Sequence, residues 1–264
     1  MNHIEDGIVA AADAQSLGGK APEYYLQPRN LLDNSDFTNP VNQRGQTSYT
    51  EHWGYTIDRW YLSSGDSSGS IKATVTLTDG GLKFTPSSEA ADRSALVQRL
   101  PQNALRAGVD YTFVAKKTDG DYLFGGIEDN TASYGFWQVA LFIDTEVTLE
   151  WAALYEGSYT ADTLPPYVPK GYAAELAQCK RYYNIIPYDM DDYYVNTNTA
   201  YPSMYPVFFS EMRIVPTVTL QESWNVGSAG VSIDFITKNS LAFQAAATSS
   251  RVAWHGKIKL SADL

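Results

Sequence analysis

The chain has 264 residues, a formal net charge of −11 from 30 acidic and 19 basic side chains, 44% hydrophobic residues and one cysteine. That charge argues against nucleic acid and anionic membrane surfaces, which are held through clustered Lys and Arg, and a lone cysteine excludes an intramolecular disulfide. Aromatic residues reach 13%, with 19 Tyr and 6 Trp, against only 19% charged residues, a balance that suits neutral polar ligands such as sugars as well as the ordinary Tyr content of β proteins.

Residues 1–29 read as an attachment segment. Ile4 to Ala14 holds a short Ala-rich stretch with helical character. Gly18-Gly19 and Pro22 then break it, and the apolar content is too low for an independent core. No basic region followed by an apolar run is present, so no secretory signal is expected, and no apolar run is long enough to cross a bilayer. Synthesis in a bacterial cytoplasm, with action elsewhere, is the expectation.

Residues 30–169 read as all-β. Ile71, Ala73, Val75 and Leu77 alternate with Lys72, Thr74 and Thr76, the mark of a half-buried strand. Asp79-Gly80-Gly81 turns the chain into Leu82-Lys83-Phe84, a hairpin signal. Further strands are expected over 96–100, 111–116, 122–125, 136–143 and 147–155. Turns are expected at 106–108, 118–120 and Glu128-Asp129-Asn130. Short strands at this spacing predict a jelly-roll-like β-sandwich.

Pro165-Pro166-Tyr167-Val168-Pro169 is a stiff extended linker. It leads to a helix over Gly171 to Tyr183, with Tyr172, Leu176, Cys179 and Tyr183 on one face. Cys179 on that face reads as a small buried hydrophobe. Strands are expected over 207–210, 217–220, 231–236, 241–245 and 251–260, in a smaller C-terminal β-sandwich over 184–264. Between helix and strands, residues 187–202 lack periodicity and read as a long loop. The whole is mainly β: attachment segment, jelly-roll-like sandwich, linker helix over 170–183, and second sandwich.

Several phrases resemble bacteriophage and prophage tail proteins. Asn30 to Phe37, Asn42-Gln43-Arg44-Gly45 and Tyr55 to Trp60 resemble the opening of carbohydrate-binding-module-like jelly rolls in those proteins. Trp151 to Gly157, Pro165 to Pro169 and Tyr172 to Tyr183 resemble the close of that module and its helical exit. Met212 to Val218 and Lys259 to Leu264 are similar to the distal domain of the same proteins. Ala12 to Tyr25 is similar to short repeats along tail-fibre shafts. The resemblance implies a receptor-binding tail-fibre or tail-tip protein in a virion or phage-like particle. It implies a homotrimer that contacts other tail proteins through its N-terminal segment and meets a host cell-surface glycan. It implies no catalytic site, and no cofactor or metal is expected.

Two places carry ligand chemistry. Asp58-Arg59-Trp60 offers a stacking ring with hydrogen-bonding partners, but the same residues fit a buried Trp beside a structural ion pair. Tyr188, Asp189, Asp191, Asp192, Tyr193, Tyr194, Tyr201 and Tyr205 form the preferred site. Their carboxylates would accept sugar hydroxyls and their rings would cover the sugar's apolar faces; the alternative is an interface with another subunit. The histidines, His3, His52 and His255, lie in no nucleophile motif, and no phosphate-binding loop or zinc spacing occurs. Two further readings are a polysaccharide-trimming glycoside hydrolase and a structural tail component without ligand.

Overall fold

The computed structural model describes residues 28–63, 73–86, 94–194, 203–226, 228–247 and 251–263. Among these the chain is mainly β, with antiparallel sheets throughout. One sheet has six strands in the order β1 (Ser48–Glu51), β4 (Ala73–Thr78), β5 (Gly81–Thr85), β11 (Val147–Glu156), β7 (Tyr111–Lys117) and β8 (Tyr122–Phe124). A second has five, in the order β2 (Trp53–Tyr55), β3 (Trp60–Ser63), β6 (Ala95–Pro101), β10 (Phe136–Phe142) and β9 (Gly126–Asn130).

Strand alternation packs these sheets face to face. Val75, Phe84, Phe113, Leu149 and Leu154 from the first meet Trp60, Leu62, Leu96, Val139 and Leu141 from the second in one buried cluster. Trp60 is fully buried, donates Nε1–H to the Asn34 carbonyl at 2.7 Å and meets Phe37 edge-on. The result is a jelly-roll-like β-sandwich. At the β4–β5 hairpin, Gly81 has φ +134°, and a Cβ there would sit 2.1 Å from the Leu149 carbonyl oxygen. Glycine is required because the neighbouring strand passes against the turn.

The outer face of the six-stranded sheet is covered by the chain that leaves it. Tyr159, Leu164 and Tyr167 pack on Val114, Ala153 and Tyr155. Trp151 and Tyr167 stack at 4.6 Å with nearly parallel rings. The proline-rich linker is therefore fastened to the sandwich.

Two short helices occur among the described residues, α1 (Thr131–Tyr134) and α2 (Tyr172–Cys179). The helix expected to reach Tyr183 stops four residues earlier. Arg181 and Tyr182 donate to carbonyls three residues back, Gln178 and Cys179, and the Tyr182 carbonyl then accepts the Ala262 N–H at 2.6 Å. Pairing with the last strand replaces the next helical turn. The buried residues of α2 are Glu175 and Cys179, whereas Tyr172 is exposed, so the expected apolar face is only partly the packed one. Glu175 accepts the Asn34 N–H at 2.7 Å. The expected turn at Glu128 to Asn130 lies instead in β9, where pairing with β10 supplies the hydrogen bonds.

The C-terminal part is a smaller sandwich of two three-stranded sheets. One runs β12 (Tyr183–Tyr194), β17 (Arg251–Ser261), β14 (Thr217–Val226). The other runs β13 (Ser203–Phe208), β16 (Ser240–Ala247), β15 (Ser228–Ile236). Val207 and Leu241 from one sheet and Ile258 and Leu260 from the other share a buried cluster.

The two sandwiches meet through a buried polar joint. Gln43 donates its side-chain amide to Asp58 at 3.0 Å and to the Tyr183 carbonyl at 2.7 Å. Arg44 pairs with Asp263 at 2.8 Å and lies over the Tyr183 ring at 3.9 Å. Arg59 stacks on Tyr182 at 3.4 Å and pairs with Asp33 at 3.3 Å. Arg59 holds φ +71°, a strained conformation for a bulky residue, and these contacts with the Arg99 carbonyl over-determine it.

Candidate functional site

The outer face of the five-stranded sheet carries the most promising surface. Period-2 alternation sends Trp53, Tyr55, Tyr61, Ser63, Val97, Arg99, Phe136 and Gln138 to the side opposite the core. The register brings them side by side: Tyr55 opposes Tyr61, Tyr61 opposes Val97, and Arg99 opposes Gln138. Trp53, Tyr61, Ser63, Val97, Arg99 and Gln138 line a groove of about 230 Å³. This is below the roughly 300–1,000 Å³ of drug-sized clefts and suits one ring-sized group.

Its walls are aromatic and built in layers. Trp53 is 55% exposed and stacks on His52 at 4.7 Å. Tyr61 packs on Ala95, Val97 and Ala140 and meets Tyr55 edge-on at 5.3 Å. The Arg99 guanidinium lies between Tyr61, 4.7 Å away, and Phe136, 4.9 Å away. Tyr134, 73% exposed, continues the surface by stacking on Phe136. It stands on α1, whose start is fastened by Asp129 accepting both the N–H and O–H of Thr131.

Polar groups are also oriented. Gln138 donates Nε2–H to Glu128 at 3.1 Å, which aims its carbonyl oxygen the other way. Burial raises the pKa of Tyr61, against the opposing pull of Arg99, and pushes Tyr55 up to about 12, with Asp263 adding to the rise. Both phenols are protonated at neutral pH, as an unshifted tyrosine also is, and of the two Tyr61 lines the groove. An exposed indole, a phenol, a guanidinium, a hydroxyl and an amide thus converge on one ring-sized groove. That set can stack an apolar face and hydrogen-bond its rim.

Asp58, Arg59 and Trp60 are all buried, so their second reading is the observed one: a core tryptophan beside structural ion pairs. Of the preferred set, Tyr188 is half-buried and packs against the C-terminal core. The backbones of Asp189, Asp191, Asp192, Tyr193 and Tyr194 lie in β12, an edge strand, not in the expected loop. A register shift between Met190 and Tyr193 interrupts its pairing with β17. Such shifts let a strand depart from strict alternation, which is why no periodicity is legible there. Tyr205 lies in β13 opposite Phe243, and Tyr201 lies outside the described residues. β12 and β13 belong to different sheets.

The outer-sheet groove escaped sequence reasoning because its residues come from four strands. A signal exists in hindsight: Trp53-x-Tyr55 and Tyr61-x-Ser63 alternate with core residues on short aromatic strands.

A second concavity, about 560 Å³, lies between the linker and α2 and is lined mainly by Pro28, Tyr155, Pro166, Val168, Pro169 and Ala174. Among the described residues no group of three or more His, Cys, Asp or Glu side chains is placed to hold a metal ion. No described helix is long and apolar enough to cross a membrane. No protein-family model, curated protein or solved structure matches the chain.

Proposed function

We propose that this chain recognises a bacterial cell-surface glycan without catalysis, as a receptor-binding component of a phage tail or phage-like particle. The observation that carries the recognition is the groove lined by Trp53, Tyr61, Arg99 and Gln138 on a rigid sheet. Trp53 offers an apolar ring to solvent, and the polar side chains of Ser63, Arg99 and Gln138 line the same groove. The tail assignment rests on the phrases that resemble tail proteins. A homotrimer would place three such grooves on one particle, so weak individual sites would combine through effective concentration. The N-terminal segment would join the chain to other tail proteins. Tyr188 to Tyr205, with Asp189, Asp191 and Asp192, is retained as a second contact.

The test is a glycan array on the intact protein, repeated with Trp53→Ala and with Tyr193→Ala/Tyr194→Ala. Trp53→Ala is expected to weaken binding about tenfold, the scale of one lost stacking contact, with unchanged thermal stability. Binding that survives Trp53→Ala and fails in the double variant moves the site to β12. No glycan bound by any form would support a purely structural role. Glycan shortened on incubation would support a hydrolase.

A further inference from the structure

One exposed ring on this face lies outside the groove. Phe142, at the end of β10, is 52% exposed, close to the 55% of Trp53. Strand register sets the two on one line across the sheet: Trp53 opposes Ser63, Ser63 opposes Ala95, and Ala95 opposes Phe142. Directly opposed residues share a face. The adjoining line of Leu62, Leu96 and Leu141 points into the core, which fixes Trp53 and Phe142 on the outer side. The line crosses four adjacent strands, so the two positions stand about 14 Å apart, three strand spacings. A third ring stands on a strand between theirs. Tyr61 packs against the buried cluster that Ala95 forms with Val97 and Ala140. On the far side, Gly126 of β9 opposes Ala140, and a Cβ there would come within 3.6 Å of the Phe142 ring. The glycine leaves that ring room against the edge strand. Trp53, Ser63, Tyr61, Ala95 and Phe142 carry no charge, so a ligand lying along this line is met by ring surface.

We infer that this face binds a linear glycan as several consecutive sugar residues laid across the strands, with Trp53, Tyr61 and Phe142 as successive contacts. This rests on the glycan reading above and adds the form of the ligand: a run of residues in a chain, not one terminal sugar. The groove of about 230 Å³ takes one ring, and Phe142 is not among its lining residues. A single sugar held at Trp53 therefore gains nothing from Phe142, and a ligand that spans about 14 Å gains from both. Length dependence is the signature of this arrangement, and Phe142 is the residue that creates it.

The experiment measures linear homo-oligosaccharides of glucose, galactose, mannose and N-acetylglucosamine, each from one to six residues, by calorimetry on the intact protein and on Phe142→Ala, Trp53→Ala and Tyr134→Ala. For a sugar that binds, affinity should rise at least tenfold between two residues and five and then level off. Phe142→Ala should weaken the pentasaccharide at least fivefold and leave the disaccharide unchanged, whereas Trp53→Ala should weaken every length. The length series on unaltered protein is a readout independent of any variant, and thermal unfolding checks that Phe142→Ala keeps the parent fold. Affinity that does not change with length, or a rise that survives Phe142→Ala, overturns the inference and leaves the single-groove glycan reading standing. A rise that Tyr134→Ala removes and Phe142→Ala does not also overturns it, by moving the far contact to α1. Binding of no oligosaccharide at any length overturns the inference, and an empty glycan array beside it removes the glycan reading as well.

Discussion

Asp58 sits at the joint between the sandwiches, fully buried, and its substitution tests the electrostatics there. It accepts the Gln43 backbone N–H at 2.6 Å and the Gln43 side-chain amide at 3.0 Å, with Arg44 at 3.8 Å. Burial raises its pKa from 3.8 to about 6, outweighing the lowering by Gln43 and Arg44. Between those values the folded chain holds a proton that the unfolded chain has released. Stability from this group is therefore fully present below about pH 4 and is lost as pH rises through about 6. The difference corresponds to ~3 kcal/mol.

Asp58→Asn removes the titration and keeps the shape. It also turns one Gln43 contact into donor against donor, at ~1–3 kcal/mol, independent of pH. Urea unfolding of both proteins at pH 4 and pH 7 separates the two effects. Going from pH 4 to pH 7, the variant should gain ~3 kcal/mol relative to the parent. A relative change below ~1 kcal/mol, or one of opposite sign, would mean that the Arg44 charge outweighs desolvation, and would refute this account of the joint. Glu175, also raised by burial, acts in the same direction in both proteins and cancels in the comparison, whereas Asp263 shares Arg44 with Asp58 and its titration shifts with the substitution, so the relative change reports the pair.

Cys179 is fully buried and desolvation raises its thiol pKa strongly; iodoacetamide at pH 8 should leave it unmodified in the native protein and label it in urea. Gly81→Ala should destabilise by at least ~2 kcal/mol in urea unfolding, since the added methyl meets backbone at a conformation that disfavours L side chains. Trp60→Ala should cost ~3–5 kcal/mol by the same measurement, through the cavity it opens and the unpartnered Asn34 carbonyl it leaves. A loss under ~1 kcal/mol there would show that the core does not rest on this ring.

Much of the scaffold was legible from local pattern. Leu82-Lys83-Phe84 after Gly80-Gly81 is a hairpin because turn chemistry and alternation are nearest-neighbour effects. The strands at 111–117, 136–142, 147–156 and 251–261 likewise fall where strands were expected from the sequence. β1, β2, β3 and β9 were not expected. They are three to five residues long, too short for periodicity to register, and pairing with a longer neighbour is what makes them strands.

The site was far less legible. Tyr188 to Tyr205 stands out as a run, yet a run in sequence is not a cluster in space. β12 carries Tyr188 to Tyr194 on one sheet and β13 carries Tyr205 on the other. Trp53, Tyr61, Arg99 and Gln138 are scattered over 86 positions and look unremarkable, and only strand register sets them beside one another.

Composition and alternation alone point to a chain that is mainly β, that has no intramolecular disulfide, and that is rich in aromatic and poor in charged residues. Tertiary structure decided which aromatic rings face water and which bury: Trp60 inside, Trp53 outside, seven residues apart on neighbouring strands. The reason is physical. Side-chain direction along one strand follows from its own pleat, but the face that becomes interior depends on where a second sheet packs, and that is set by contacts among residues distant in the chain.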